Sequence, residues 1–271
     1  HTTLVHMRSE CQYDWNEVLY RQLAISFGFK TNASAFELLA KSLPYKIILK
    51  HIESPLQVNA LIFGQAGLLE ETCSDDYFQK LKYEYDYLQY KYKLVPIEEH
   101  HWNLLRLRPQ NFPCVRLSQF ASTLYHTPEL FQAFVNNQQL KFLCNSLSVS
   151  ADDYWETHYH FGTKTKRHST ILGKEAIHSI LINTVIPVLF SYQKFSGEEE
   201  KLERTMNLLE QLPFEDNRIT RYFKETGITQ KSALQSQALI ELFKHYCKER
   251  NCLECAIGEK ILQMQRFRTT Q

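Results

Sequence analysis

Glycine and proline are scarce in this chain, eight of each in 271 residues. That scarcity excludes collagen-like repeats, turn-dense sandwiches and Pro/Gly-rich disordered tracts. Net charge is nearly absent: 31 Lys and Arg stand against 30 Asp and Glu, a balance of +1. No global field therefore draws the protein to nucleic acid or an anionic membrane, and any such binding needs a local patch. The longest apolar stretch, Ile177 to Phe190, is interrupted by His178, Ser179, Asn183 and Thr184, too short and too polar to be expected to span a bilayer. No secretory leader pattern is present and the chain begins at His1, so it reads as a piece of a longer protein. Seven cysteines, an odd number, do not suit an extracellular disulfide framework, which makes a reducing cytoplasm the expected compartment.

Between these few breakers, apolar residues recur every three or four positions, which predicts an all-α protein of many short helices. After Asp14, the residues Val18, Leu19, Leu23 and Phe27 share one side and Gly28 is a stop. A second helix is expected from near Asn32 to before Pro44, and a third from Ser54-Pro55 toward Gly67. From Ser74 a long helix is expected to place Phe78, Leu81, Tyr85, Leu88, Tyr92 and Val95 in the core and to end at Pro96. Its other side interleaves Tyr83, Tyr87 and Tyr90 with lysines. Such a face suits nucleic acid, but contact with another part of the protein or a second copy is the simpler expectation.

Further helices are read at Leu117–Tyr125, at Thr127–Val135 with Thr127-Pro128-Glu129 as its opening, around Ile177–Leu189, and at Leu202–Leu212, Arg218–Thr226 and Ser232–Tyr246. A division into subdomains 1–145 and 146–271, or one large domain, accommodates them. The last two helices form a helix-turn-helix outline in which Gln230, Lys231, Gln235 and Gln237 face a base-reading role or an ordinary αα-hairpin.

Three constellations carry chemistry. Arg106, Arg108 and Arg116 flank the loop Pro109–Pro113, where guanidinium forks with Gln119 would grip a phosphate or carboxylate, or would pair with acids such as Asp152 and Asp153. The irregular stretch 146–166 offers Asp153, Trp155, Glu156, His158 and His160, with His168 just beyond, for acid-base work or packing. His158 and His160 share a side only on an extended segment. Finally, Cys247, Cys252 and Cys255, with a fourth ligand to come from His245, a distant thiol such as Cys144 or the missing portion of the protein, have spacing suited to zinc or the start of an iron-sulfur run. The alternative is small apolar packing.

Several phrases resemble a bacterial domain-of-unknown-function family, numbered 2851 and found mainly in Bacteroidetes. They are Leu61–Leu69, Arg106–Pro113 running into Arg116–Ala121, Asp153–Trp155 with His158-Tyr159, Leu181–Thr184, Ser236–Leu239, Tyr246-Cys247 and Cys252–Cys255. The resemblance implies a helical protein without a known activity. It also implies an additional strand-rich N-terminal portion, loosely nuclease-like, whose Gly-Pro-Asp-Phe and Val-Glu-Ile-His segments do not occur here. The expected role is a structural or interaction module for that portion. The alternative is an accessory part of a nucleic-acid-processing enzyme, with an arginine anion site and a cysteine metal site. The segment Gln237–Leu242 also resembles the end of iron-sulfur DNA glycosylases, but the fourth cysteine of that pattern is missing.

Overall fold

The computed structural model describes residues 2–70, 72–105 and 107–260. Fourteen α-helices and one two-stranded hairpin account for the regular structure of these residues, so the fold is all-α. The chain forms two units, His1–Thr205 and Met206–Gln271. Residue 146 lies inside the first.

The first unit opens with α1 (Thr2–Glu10), α2 (Trp15–Phe27) and α3 (Ala33–Ser42). The Asp14 carboxylate accepts from Asn16 N at 2.9 Å and starts α2. Gly28 closes it where a Cβ would lie 2.5 Å from the Asn32 backbone, a close approach that only glycine allows. A short α4 (Tyr45–Leu49) leads to α5 (Pro55–Gln65), capped by Ser54 with proline at its first position. The long α6 (Asp76–Tyr92) is capped by Asp75. Lys93 ends it in the left-handed conformation, φ 52°, three residues before the proline expected to do so. Phe78, Leu81, Tyr85 and Leu88 are buried as expected. Val95, outside the helix, is 77 % exposed; its carbonyl is what the fold uses, accepting from the buried Gln65 amide.

α7 (Pro113–His126) carries Phe120, the hub of the aromatic core: its ring centroid lies 5.7 Å from Tyr20, 5.4 Å from Phe27 and 6.0 Å from Phe36. Each such fully buried ring contributes about 1.5–3 kcal/mol. α8 (Leu130–Asn136) starts later than the Thr127-Pro128-Glu129 signal suggests. Thr127 instead ends α7, and Glu129 takes a left-handed φ of 56° to redirect the chain. After α9 (Leu140–Ser146), a 3-10 turn precedes an antiparallel hairpin of β1 (His158–His160) and β2 (Thr163–Lys164), pairing His158 with Lys164 and His160 with Thr163 across an irregular register.

One continuous helical run, Lys174–Ser196, comprises α10 (Lys174–Ile180), a π-turn at Leu181–Val185 and α11 (Ile186–Ser196). By length and composition alone it could cross a membrane, with mean hydropathy 1.3, yet 56 % of that window is buried within the protein. Thr184 in the π-turn bonds the Ser26 hydroxyl. α12 (Glu199–Gln211) crosses from the first unit into the second.

The second unit contains α13 (Arg218–Glu225), opened by a capping box between Asn217 and Thr220, α14 (Ala233–Leu242) and a π-turn at Phe243–Cys247. Gln230, Gln235 and Gln237 serve internal structure. Gln230 donates to the Ile228 carbonyl at 2.8 Å, Gln235 accepts from Lys231 N at 2.8 Å, and Gln237 bonds Glu215.

At Gly64, α5 approaches α6 closely: a Cβ there would lie 2.0 Å from the Tyr85 ring. Gly64→Ala is therefore expected to lower stability by about 1–3 kcal/mol through overpacking, read from urea unfolding. An unchanged midpoint would contradict this packing.

Candidate anion site

A 3-10 turn at Pro109–Asn111 and Pro113 at the first position of α7 set the chain so that Arg116 falls in the helix's first turn. Long helical side chains lean toward the N-terminus, which returns the guanidinium to the loop. It is only 7 % exposed. Nη2 donates to Asn111 Oδ1 at 2.7 Å, Nη1 donates to Gln119 Oε1 at 2.9 Å, and the group lies over the Phe29 ring, 4.4 Å from its centroid. Nε has no hydrogen-bond partner. Gln119 in turn donates to the Thr170 carbonyl at 2.7 Å, tying α7 to the segment beyond the hairpin.

Both acceptors on the guanidinium are neutral amides, and no carboxylate pairs with it among the described residues. Burial alone pushes its pKa down to about 10, so it stays cationic at neutral pH without a counter-charge. Beside it lies a cavity of about 30 Å³ bounded by Gly28, Phe29, Thr31, Asn32 and Asn111, room for about two waters or one small anionic head group. Asn32 stands at the start of α3 but caps nothing there. Its side chain accepts from Asn103 N at 2.8 Å and donates to the Asn103 carbonyl at 3.2 Å. The first turn of α3 thus lacks a side-chain cap, and the positive ends of α3 and α7 both flank the buried cation.

Of the other residues expected here, Arg108 is exposed and Arg106 lies outside the described residues. Asp152 and Asp153 do not pair with Arg116: Asp152 accepts from Tyr154 N at 3.2 Å, and burial raises its carboxyl above the usual range. Asn111, Phe29 and Asn32 were not singled out from the sequence. Asn111, between the two prolines, had a positional signal, whereas the other two become visible only through tertiary contact.

Of the 146–166 candidates, Trp155 and His158 are packing groups, Glu156 pairs with exposed Arg167 at 2.6 Å, and Asp153 is exposed. Trp155 is fully buried and stacks on Phe63 at 5.3 Å. His158 is buried, stacks on Tyr154 at 4.0 Å, and its Nδ1 lies 2.9 Å from the Tyr154 carbonyl. His160 is exposed and meets the Phe112 edge. The strand needed for the two imidazoles to share a side is present, but its irregular register accompanies different burial. A second cavity, about 280 Å³, is bounded by Cys73, Cys114, Glu99 and His160. Burial and Glu99 push the Cys114 thiol up to about 12, which keeps it protonated and non-nucleophilic.

In the cysteine arm, burial, with Cys255 and Cys252 nearby, raises the Cys247 thiol above its usual range. Cys247 and Cys252 are exposed, Cys255 is buried, and His245 Nε2 lies 2.8 Å from Glu241. No group of three His, Cys, Asp or Glu side chains that could hold a metal occurs among the described residues.

Residues 1–218 match the family model described as Protein of unknown function (DUF2851). The cysteine arm and the Ser236–Leu239 phrase lie beyond the matched residues. No curated protein and no solved structure matches the chain.

Gln119 links the cation to Thr170, so Gln119→Leu strands both partners and is expected to cost about 1–3 kcal/mol in chemical denaturation. A loss below the error of the measurement would mean that the link carries no structural weight.

Proposed function

The chain belongs to the DUF2851 family, whose function is unknown, and we propose from the site alone that it is a helical binding module recognising a small anionic group, a carboxylate or phosphate, at Arg116. The observation that carries this reading is the buried guanidinium without an acid partner. A buried cation held by two amide oxygens and a ring face retains a desolvation penalty that an arriving anion relieves. The uncapped start of α3 beside the cavity favours the same charge. The anion belongs to a free ligand or to a side chain or modification of a partner. Among the described residues around Arg116 none is a carboxylate, imidazole or thiol suited to general acid-base or nucleophilic work, so recognition is the reading rather than turnover.

The test is thermal unfolding with acetate, phosphate or chloride, on the wild type, Asn111→Asp and Arg116→Met. A ligand at a hundred times its Kd stabilises by about 2.7 kcal/mol, a shift of several degrees for a unit of this size. The wild type is expected to respond. Asn111→Asp, which supplies a fixed carboxylate, is expected to melt higher without added anion and to lose the response. Arg116→Met is expected to lose the response while staying folded. An unresponsive wild type, or an equal response in Asn111→Asp, would contradict the reading.

The α6 face supports a second reading, as a contact between copies of this chain. Tyr83, Tyr87 and Tyr90 are 77, 57 and 88 % exposed, an aromatic stripe unusual for a surface left wet. Antiparallel pairing about an axis between Tyr83 and Glu84 sets Asp76 of one copy opposite Lys91 of the other, and Lys80 opposite Tyr87. The face is thus charge-complementary to itself. Light scattering is expected to show a dimer that Tyr83→Asp with Tyr90→Asp dissociates. A strictly monomeric wild type at its highest soluble concentration would refute it.

A further inference from the structure

The last turn of α1 aims a second arginine, Arg8, into a ring of aromatic side chains. Its guanidinium carbon lies 3.4 Å from the Phe195 ring centroid, 4.7 Å from Tyr13 and 5.3 Å from Trp15. We propose that Tyr13, Trp15 and Phe195 form an aromatic cage for a guanidinium group, in which Arg8 is a displaceable occupant whose place an arginine side chain of a partner protein takes.

The cage is built independently of Arg8. Trp15 is braced from behind, stacked on Phe131 at 6.1 Å and edge-on to Tyr192 at 5.6 Å, and Phe131 meets Tyr192 at 5.1 Å. Tyr13 is presented by two successive non-glycine residues in the left-handed region, Gln12 at φ 51° and Tyr13 at φ 68°, a conformation that packing must hold against its intrinsic cost. The helix bearing Arg8 has its own anchors, since Leu4, Met7 and Cys11 are buried. Arg8 is not needed to seat α1.

The occupant has no ionic anchor: no carboxylate pairs with Arg8 among the described residues, and its Nε has no hydrogen-bond partner. Rotation of one side chain, without movement of the helix, frees the cage. Phe195 and Tyr13 are each 63 % exposed, so the rim is open to an incoming side chain. A guanidinium carbon 3.4 Å from the Phe195 ring centroid is at the separation of a planar cation on a ring face, whereas a tetrahedral ammonium cannot lie face to face on the ring.

The probe is N-acetyl-arginine methylamide, titrated into the full chain while the fluorescence of Trp15, the least buried of the three tryptophans, is read. If Arg8 leaves the cage less than about a tenth of the time, the wild type binds about tenfold more weakly than Arg8→Ala. The expected result is therefore saturable binding to Arg8→Ala, at least that much tighter than to the wild type. N-acetyl-lysine methylamide and tetramethylammonium should bind more weakly, and Phe195→Ala in the Arg8→Ala background should abolish binding. Absence of saturation in a folded Arg8→Ala, or binding that survives Phe195→Ala, would overturn the proposal. Arg8→Lys keeps the aliphatic stem and serves if the alanine variant loses helicity by circular dichroism: binding tighter than to the wild type supports the cage, and binding equal to the wild type overturns it.

Discussion

The burial of one positive charge without a negative partner organises the first unit. To take the Arg116 guanidinium out of water, the fold supplies Asn111 from the proline loop, Gln119 from one turn further along α7, and the Phe29 ring from the α2–α3 corner. Those three groups come from separate stretches of chain, and Gln119 passes the connection on to Thr170. The loop, the helix start, the corner and the segment after the hairpin are thus held in register around a single cation.

The same unit shows what a neutralised buried arginine looks like. Arg21 and Glu17 are 16 and 11 % exposed and meet at 2.8 Å, and the second carboxylate oxygen of Glu17 accepts from Tyr45 N at 2.9 Å. That pair lies one helix turn apart on α2 and closes on itself. Among the described residues Arg116 and Arg8 have no such acid; both rest on aromatic rings and each leaves Nε without a partner. The contrast matters because a buried charge is tolerated when its field is used, and at Arg116 the field is directed at the small cavity beside the guanidinium.

Much of the helical architecture was legible because local chemistry and burial agree. Asp14, Ser54 and Asp75 cap helices whose apolar stripes face the core, and Gly28 stops α2. The readings diverge where tertiary contact outweighs a local signal. Pro96 looked like the end of α6, but Lys93 turns the chain earlier because buried Gln65 grips the Val95 carbonyl and Ile97 N. Thr127-Pro128-Glu129 has the form of a helix start, but Thr127 belongs to the end of α7. At the site, Arg116 and Gln119 were visible as an arginine and an amide one turn apart after a proline loop. Asn111 was only implied, and Phe29 and Asn32 arrive from the corner between α2 and α3, more than eighty residues before Arg116 in sequence. The neutral character of the acceptors, which gives the site its meaning, depends on which side chains meet and has no sequence signature.

The central claim is that Arg116 is cationic, buried and open to an anion. The direct measurement is the arginine Nε–H nuclear magnetic resonance spectrum of the isotope-labelled wild type, assigned with Arg116→Met and titrated with acetate and then phosphate. The account predicts a slowly exchanging Arg116 resonance that moves saturably with at least one of these anions while exposed Arg108 follows only ionic strength. An Arg116 resonance that stays fixed throughout both titrations would contradict it.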